Sequence, residues 1–211
     1  MQILQYYIEK TFNLKYNLYW WSDLLYPNKI KKENTTNISY ANRGMDLEYL
    51  INEANNYYLN NDIAVIYKKP TPIQINKVSF KTGKPEVIKG SFNQKSTLDY
   101  VGLYKGKYLD FDAKKTLNKA SLPLENIHHH QLEHIKRVIK HEGIAFLIIE
   151  ICHEIYLFPG EKLIEFISNN ERKSIPYAYI KENGYLINFG YNPIIDYLKV
   201  IDKVYFKKER D

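Results

Sequence analysis

The sequence predicts a mixed α/β protein built round a central sheet, and three stretches carry that reading. "IAFLIIEIC" is apolar without interruption and rich in β-branched and aromatic residues, the pattern of a strand buried on both faces. "STLDYVGLYKGKYLDFDAKKT" reads as two strands joined by a tight turn. Between them, "QLEHIKRVIK" has the apolar spacing of an amphipathic helix. Strands, then a helix, then a buried strand is the order expected of a layered α/β domain.

Taken in order, residues 1–40 end in the polar, lysine-bearing "NKIKKENTTNIS" and are expected to form a basic arm of low order. One folded domain is expected over 41–205, with a charged tail over 206–211. In "GMDLEYLINEANNYYLNN", Leu47, Leu50, Ile51, Ala54 and Tyr58 recur at helical spacing, and Asn60-Asn61 is the stop. "IAVIYKK" and "PIQINKVSF" follow as strands, separated by Pro70 and Pro72. "KTGKPEVIKGSFNQK" carries glycine and proline at intervals and predicts a projecting loop or hairpin, a stalk over about 77–95. The helix after "NIHHH" is expected to end at Gly143 as its C-cap. "EIYLFP" pairs beside the buried strand, "GEKLIEFISNN" is a short helix, Asn183-Gly184 a turn and "NPIIDYLKVID" a last amphipathic segment. A chain of 211 residues suffices for one substantial core but not two full domains.

Composition narrows function only a little. The net charge of +6 suits a polyanionic partner, but the abundance of Lys, Asn, Ile and Tyr looks like AT-rich coding, which weakens that inference. Cys152 is the only cysteine, so an internal disulfide is excluded and a reducing compartment fits. Glu9, Lys10 and Lys15 interrupt the N-terminal apolar residues before a leader of signal length forms, and no run approaches a membrane span. The expectation is a soluble, cytoplasmic protein.

The hairpin carries the chemistry. With Lys105-Gly106 as its loop, Tyr104 faces Lys107, and counting outward places Asp99 opposite Asp112. Tyr108, Asp110, Asp112 and Lys114 then share one strand face, while Leu109, Phe111 and Ala113 share the other and point to the core. Two carboxylates roughly 5 Å apart between Cβ atoms repel unless something positive lies between them. A hard divalent cation is one occupant, with Lys114 beside it to orient water or stabilise phosphate charge. The other reading is a solvent-facing ladder of acids and lysines with no chemistry at all.

Beyond the hairpin, "YANRGMDLE", "PTPIQI", "STLDY", "GKYLDFDAKKT", "PLENIHHHQLEH" and "IPYAYIKENGYLINFGYNPIIDYL" occur in this order. The series resembles the RecU-type Holliday junction resolvases of the PD-(D/E)xK nuclease superfamily, over roughly residues 40–202. The resemblance implies a restriction-endonuclease-like fold, a homodimer, and cleavage of four-way DNA junctions dependent on Mg²⁺, with Mn²⁺ as the alternative ion. Recombinase and branch-migration proteins are implied partners. Its acid positions fall on Asp99 and Asp112, its motif lysine on Lys114 and its helix glutamate on Glu48. Thr97 and Gln131 match further positions near the metal. Phe92 and the surrounding lysines match the stalk that enters the junction centre. Asp112 stands where the family usually has glutamate, and Leu98 and Val101 replace residues that are often polar.

Each remaining candidate has a plain alternative. Glu48 is an exposed residue favoured near a helix N-terminus or a contact of metal or water. The histidines 128–130 with His134 invite a zinc reading, but consecutive histidines do not share a helix face. Phe92 is a packing anchor or a wedge against unstacked bases. Arg43 is a salt-bridge partner or a phosphate contact. Lys68 to Lys95 contains seven lysines and a single acid, Glu86, a solvated face unless it lies beside a nuclease site. In that case Lys77, Lys81, Lys84, Lys89 and Lys95 become DNA contacts. Two rival functions remain: a junction-binding or strand-annealing protein without cleavage, and a nuclease acting on ordinary duplex.

Overall fold

The computed structural model describes residues 46–70, 73–79, 86–92 and 97–206, the strands 73–79 and 86–92 by their backbone. Helix α1 (Leu47–Asn60) is followed by β1 (Val65–Lys68), β2 (Ile73–Ser79), β3 (Glu86–Phe92), β4 (Tyr100–Tyr104) and β5 (Lys107–Lys115). Short β6 (Ser121–Pro123) leads to α2 (His129–Lys140), β7 (Ile144–Ile151), β8 (Glu154–Pro159) and α3 (Gly160–Asn169). The described chain closes with β9 (Ser174–Pro176), α4 (Tyr177–Asn183), β10 (Tyr185–Leu186) and α5 (Tyr197–Tyr205). The fold is mixed α/β, with a central sheet of order β1-β4-β5-β7-β8-β10. The β5–β7 pair is parallel and its neighbours antiparallel. That parallel pair requires a crossover, which contains α2.

Both faces of the sheet are covered, and β7 shows why its sequence is apolar throughout. Ile144, Phe146 and Ile148 pack with Leu50 and Ile51 of α1 and Leu198 and Ile201 of α5. Ala145, Leu147 and Ile149 pack with Ile135 of α2 and Leu163 and Phe166 of α3 on the opposite side. The alternation of side chains along a strand divides one run between two cores. On the α1 side, the Tyr100, Phe111 and Phe146 rings stack across β4, β5 and β7, with centroids 4.9 and 4.6 Å apart.

The turn at Lys105-Gly106 forms as its composition predicts. Both residues have positive φ, 47° and 76°, as a two-residue turn matched to strand twist requires, and Tyr104 pairs with Lys107. Helix α2, by contrast, does not use Gly143 as its C-cap. His141 is the cap and Glu142, at φ 61°, takes the left-handed position. The Glu142 and Gly143 amides donate to the carbonyls of Ile139 and Val138, both at 3.0 Å, closing a Schellman motif. Gly143 answers to packing: a Cβ there would come within 2.7 Å of the Val138 side chain.

β2 and β3 form a separate two-stranded antiparallel sheet in which Ile73 pairs with Phe92 and Lys77 with Lys89. The hairpin therefore begins ahead of the 77–95 stretch that sequence delimits as the stalk. Arg43, Lys81, Lys84, Lys95, the N-terminal arm and most of the tail lie outside the described residues. Among the described residues, no helix is long and apolar enough to cross a membrane.

Candidate active site

The polar face of β5 is no solvent-facing ladder. Phe111 is fixed in the ring stack on one side, so strand alternation directs Asp110 and Asp112 to the other. Sequence expects that side to project. Instead, Asp110 and Asp112 are both 0% exposed. The reason is tertiary: Gln131 and His134 of α2 reach β5 on that face.

Around Asp112, Gln131 Nε2 donates to Oδ2 at 2.5 Å and Lys114 Nζ lies 3.0 Å from the same oxygen. Gln131 is itself held, because its Oε1 accepts the His128 amide at 3.1 Å. The other carboxylate oxygen, Oδ1, is buried with no hydrogen-bond partner. Burial first, and then the charge and contact of Asp99, push the Asp112 carboxyl up to about 6, against the opposing pull of Lys114. The β4–β5 ladder ends at Tyr100↔Phe111, which puts Asp99 and Asp112 one step beyond the last pair. Asp99 thus bears on Asp112 as the register predicts, although it sits in a bend outside the strand.

Sequence reading overlooks the neighbouring group. Asp110 accepts from Lys69 Nζ at both oxygens (2.8 Å each) and from the Tyr108 hydroxyl at 2.8 Å, and its Oδ2 lies 2.8 Å from His134 Nε2. Lys69 also donates to Thr97 Oγ1 at 2.9 Å, while its backbone amide donates to the Asp99 carbonyl at 2.7 Å. Strand alternation already places Asp110 beside Asp112. Nothing in the sequence separates Lys69 from the lysine run that contains it.

Glu48 pairs with Lys68 at 2.5 Å, and both side chains are substantially exposed. Its charge, with those of Asp99, Asp46 and Asp112, adds to the burial that raises the Tyr100 hydroxyl. The Tyr100 hydroxyl is buried without a hydrogen-bond partner. His128 and His130 stack on one another with centroids 5.4 Å apart, and His134 serves Asp110. Among the described residues, no group of three or more His, Cys, Asp and Glu converges in a metal-binding arrangement. The paired acids Asp99 and Asp112 remain, and one oxygen of Asp112 is buried without a partner. Such a pair fits a hard cation that takes one or two protein carboxylates and completes its shell with neutral oxygens.

Comparison with known proteins decides the family. The model of the RecU family, Recombination protein U, matches residues 42–203. The chain belongs to the RecU family. The Holliday junction resolvase RecU of Bacillus cytotoxicus is 47% identical over 192 residues, covering 88% of this chain and 94% of that protein. The RecU of Bacillus thuringiensis is 51% identical over 174 residues, covering 80% and 87%. Among solved structures, the Holliday junction resolvase Hjc of Archaeoglobus fulgidus matches 64% of this chain and 94% of its own, with TM-score 0.38 and 9% identity. The RecU match contains every described residue of the site, from Glu48 to His134.

Proposed function

We propose that this RecU-family chain is an endonuclease that resolves four-way DNA junctions by metal-dependent phosphodiester hydrolysis. The observation that carries the metal reading is the Asp112 carboxylate: fully buried, pressed by Asp99, and left with one oxygen unpartnered. An unpaired acceptor in a dry site is costly, and a cation removes that cost. Asp99, Asp112 and the Ala113 carbonyl would hold Mg²⁺ or Mn²⁺, with Thr97 and Gln131 close by. When bound, the ion would supply a Lewis acid for the scissile phosphate.

The remaining work falls to side chains. Gln131 holds Asp112 through Oδ2, which leaves Oδ1 without a partner and open to the ion. Lys114, only 15% exposed, is held beside Asp112, where it orients a water for in-line attack and stabilises the phosphate charge. The chain acts as a homodimer because a four-way junction presents two symmetry-related strands, and a two-fold dimer sets one site on each. Phe92 enters the branch, and the hairpin lysines, among them the paired Lys77 and Lys89, contact backbone phosphates. By the family resemblance, Glu48 would contact the metal or its water, and Arg43 a backbone phosphate.

The test is cleavage of a synthetic four-way junction, with and without Mg²⁺, by the wild type and Asp112→Asn. Paired incisions are expected from the wild type only with the ion. The variant is expected to bind with unchanged affinity and to cut at least about a thousandfold more slowly. Binding without any cutting by the wild type would leave a junction-holding protein. Equal competition by linear duplex would turn the assignment to a duplex nuclease.

A further inference from the structure

We propose that Lys69 is a positioning residue, a strut that ties both roots of the β2–β3 hairpin to the catalytic strand and so holds Thr97 and Asp99 in place beside Asp112. The inference rests on the resolvase reading and extends it to a residue outside the acid–acid–lysine set.

Lys69 stands just ahead of β2, whereas Thr97 follows β3. The two ends of the hairpin thus meet at one ammonium group, through the 2.9 Å bond from Lys69 Nζ to Thr97 Oγ1. The same nitrogen reaches both oxygens of Asp110, on β5 next to the site, at 2.8 Å. An ammonium has three protons, and here it has three acceptors: Oδ1, Oδ2 and Oγ1. The Lys69 side chain is 19% exposed and that of Asp110 0%. The Lys69 backbone adds a fourth tie, its amide to the Asp99 carbonyl at 2.7 Å. Immobilising a lysine side chain costs up to about 2 kcal/mol of rotamer freedom, which a lysine meant only to attract DNA need not lose.

This arrangement sets Lys69 apart from the other lysines of its run. With its nitrogen drawn onto the buried Asp110 carboxylate and the Thr97 hydroxyl, it is held inside the protein rather than extended toward a phosphate. Its contribution is to fix where the 97–99 segment enters the site, and any displacement of the hairpin root reaches Thr97 and Asp99 through it. Outer-shell partners of this kind typically change metal affinity or activity by about 10- to 100-fold when removed.

Lys69→Met tests the strut in the full-length protein. Expected results are a cleavage rate at least about tenfold lower and Mg²⁺ affinity, measured by calorimetry without DNA, about tenfold weaker. Junction affinity should remain within about twofold, and its salt slope should stay unchanged. A phosphate-contacting lysine would instead reduce the slope by about one unit and weaken binding, which would overturn the proposal. Wild-type cleavage and Mg²⁺ affinity in a folded Lys69→Met protein would overturn it equally. Should that variant fail to fold, Thr97→Val removes the hydroxyl that Lys69 holds, a group the proposed site also sets close to the ion, and is expected to weaken Mg²⁺ affinity with junction affinity retained; unchanged Mg²⁺ affinity would refute the strut. Where both variants fold, the double variant should be no worse than Lys69→Met alone, because both remove one linkage. Asp112→Asn, run in parallel, separates the two ideas. If it cuts normally the resolvase mechanism fails, and if it is dead while Lys69→Met is normal, only the strut fails.

Discussion

Asp110 and Asp112 share one face of β5 and the same complete burial, yet their surroundings differ in kind. Asp110 has Lys69, Tyr108 and His134 around it, so each of its oxygens has a partner. Asp112 has Gln131 and Lys114 on one oxygen, nothing on the other, and a second carboxylate pressing on it. A saturated carboxylate is a fastening. An unsaturated one, raised in pKa by burial and by a like charge, is a place for a ligand. Burial alone does not distinguish the two; the count of donors does.

The largest effect that should break this contrast is Asp110→Ala. It removes the anion facing the part-buried Lys69, and breaking a buried pair from one side costs up to about 3–5 kcal/mol. Asp112→Asn should cost far less in the metal-free protein, since it removes a repelled charge. Chemical denaturation of both variants measures the difference, and equal losses would erase the distinction.

Next in size is a pH effect. The folded-state pKa of Asp112, about 6, exceeds the ordinary aspartate value of 3.8. Between those values the folded protein binds more protons than the unfolded chain. The contribution of Asp112 to unfolding free energy therefore rises as pH falls through this window, by roughly 2–3 kcal/mol, and is lost again as pH rises past 6. The wild type should gain on Asp112→Asn by that amount between pH 7 and pH 4, in Mg²⁺-free buffer. A flat difference would mean that Asp112 is not the strained group.

Gln131→Ala is a smaller perturbation. It frees the Asp112 rotamer while leaving both acids and Lys114, and junction cleavage is expected to slow about tenfold with binding retained. Smallest of all, Lys68→Met breaks the exposed pair with Glu48 and should shift stability by less than about 0.5 kcal/mol in denaturant melts.

Much of this could be read in the sequence, for identifiable reasons. Lys105-Gly106 admits the positive φ of a tight turn, and once that turn is fixed, period-two alternation assigns every residue from Tyr100 to Lys114 to a face. "IAFLIIEIC" announces a strand with cover on both sides. What alternation cannot supply is depth. Whether Asp110 and Asp112 meet water depends on α2 lying over them, a contact between distant segments. The partners of Asp110 come from 69, 108 and 134, and Lys69 carries no local mark among its neighbouring lysines. Gly143 misled for a similar reason: glycine suggests a left-handed cap, whereas here Val138 leaves no room for a Cβ and Glu142 takes the cap's backbone position.

The stacked rings of Tyr100, Phe111 and Phe146 have one more consequence. Each belongs to a different strand, and their spacing is about that of adjacent strands in a sheet. A slip of β5 by a single residue would turn Phe111 toward α2 and drive an aspartate into the apolar layer beneath α1. The aromatic column therefore acts as a proofreader of alignment: a misthreaded sheet loses its best packing and buries a bare charge at once, so a chain that reaches its most stable packing also has its acids on the right side.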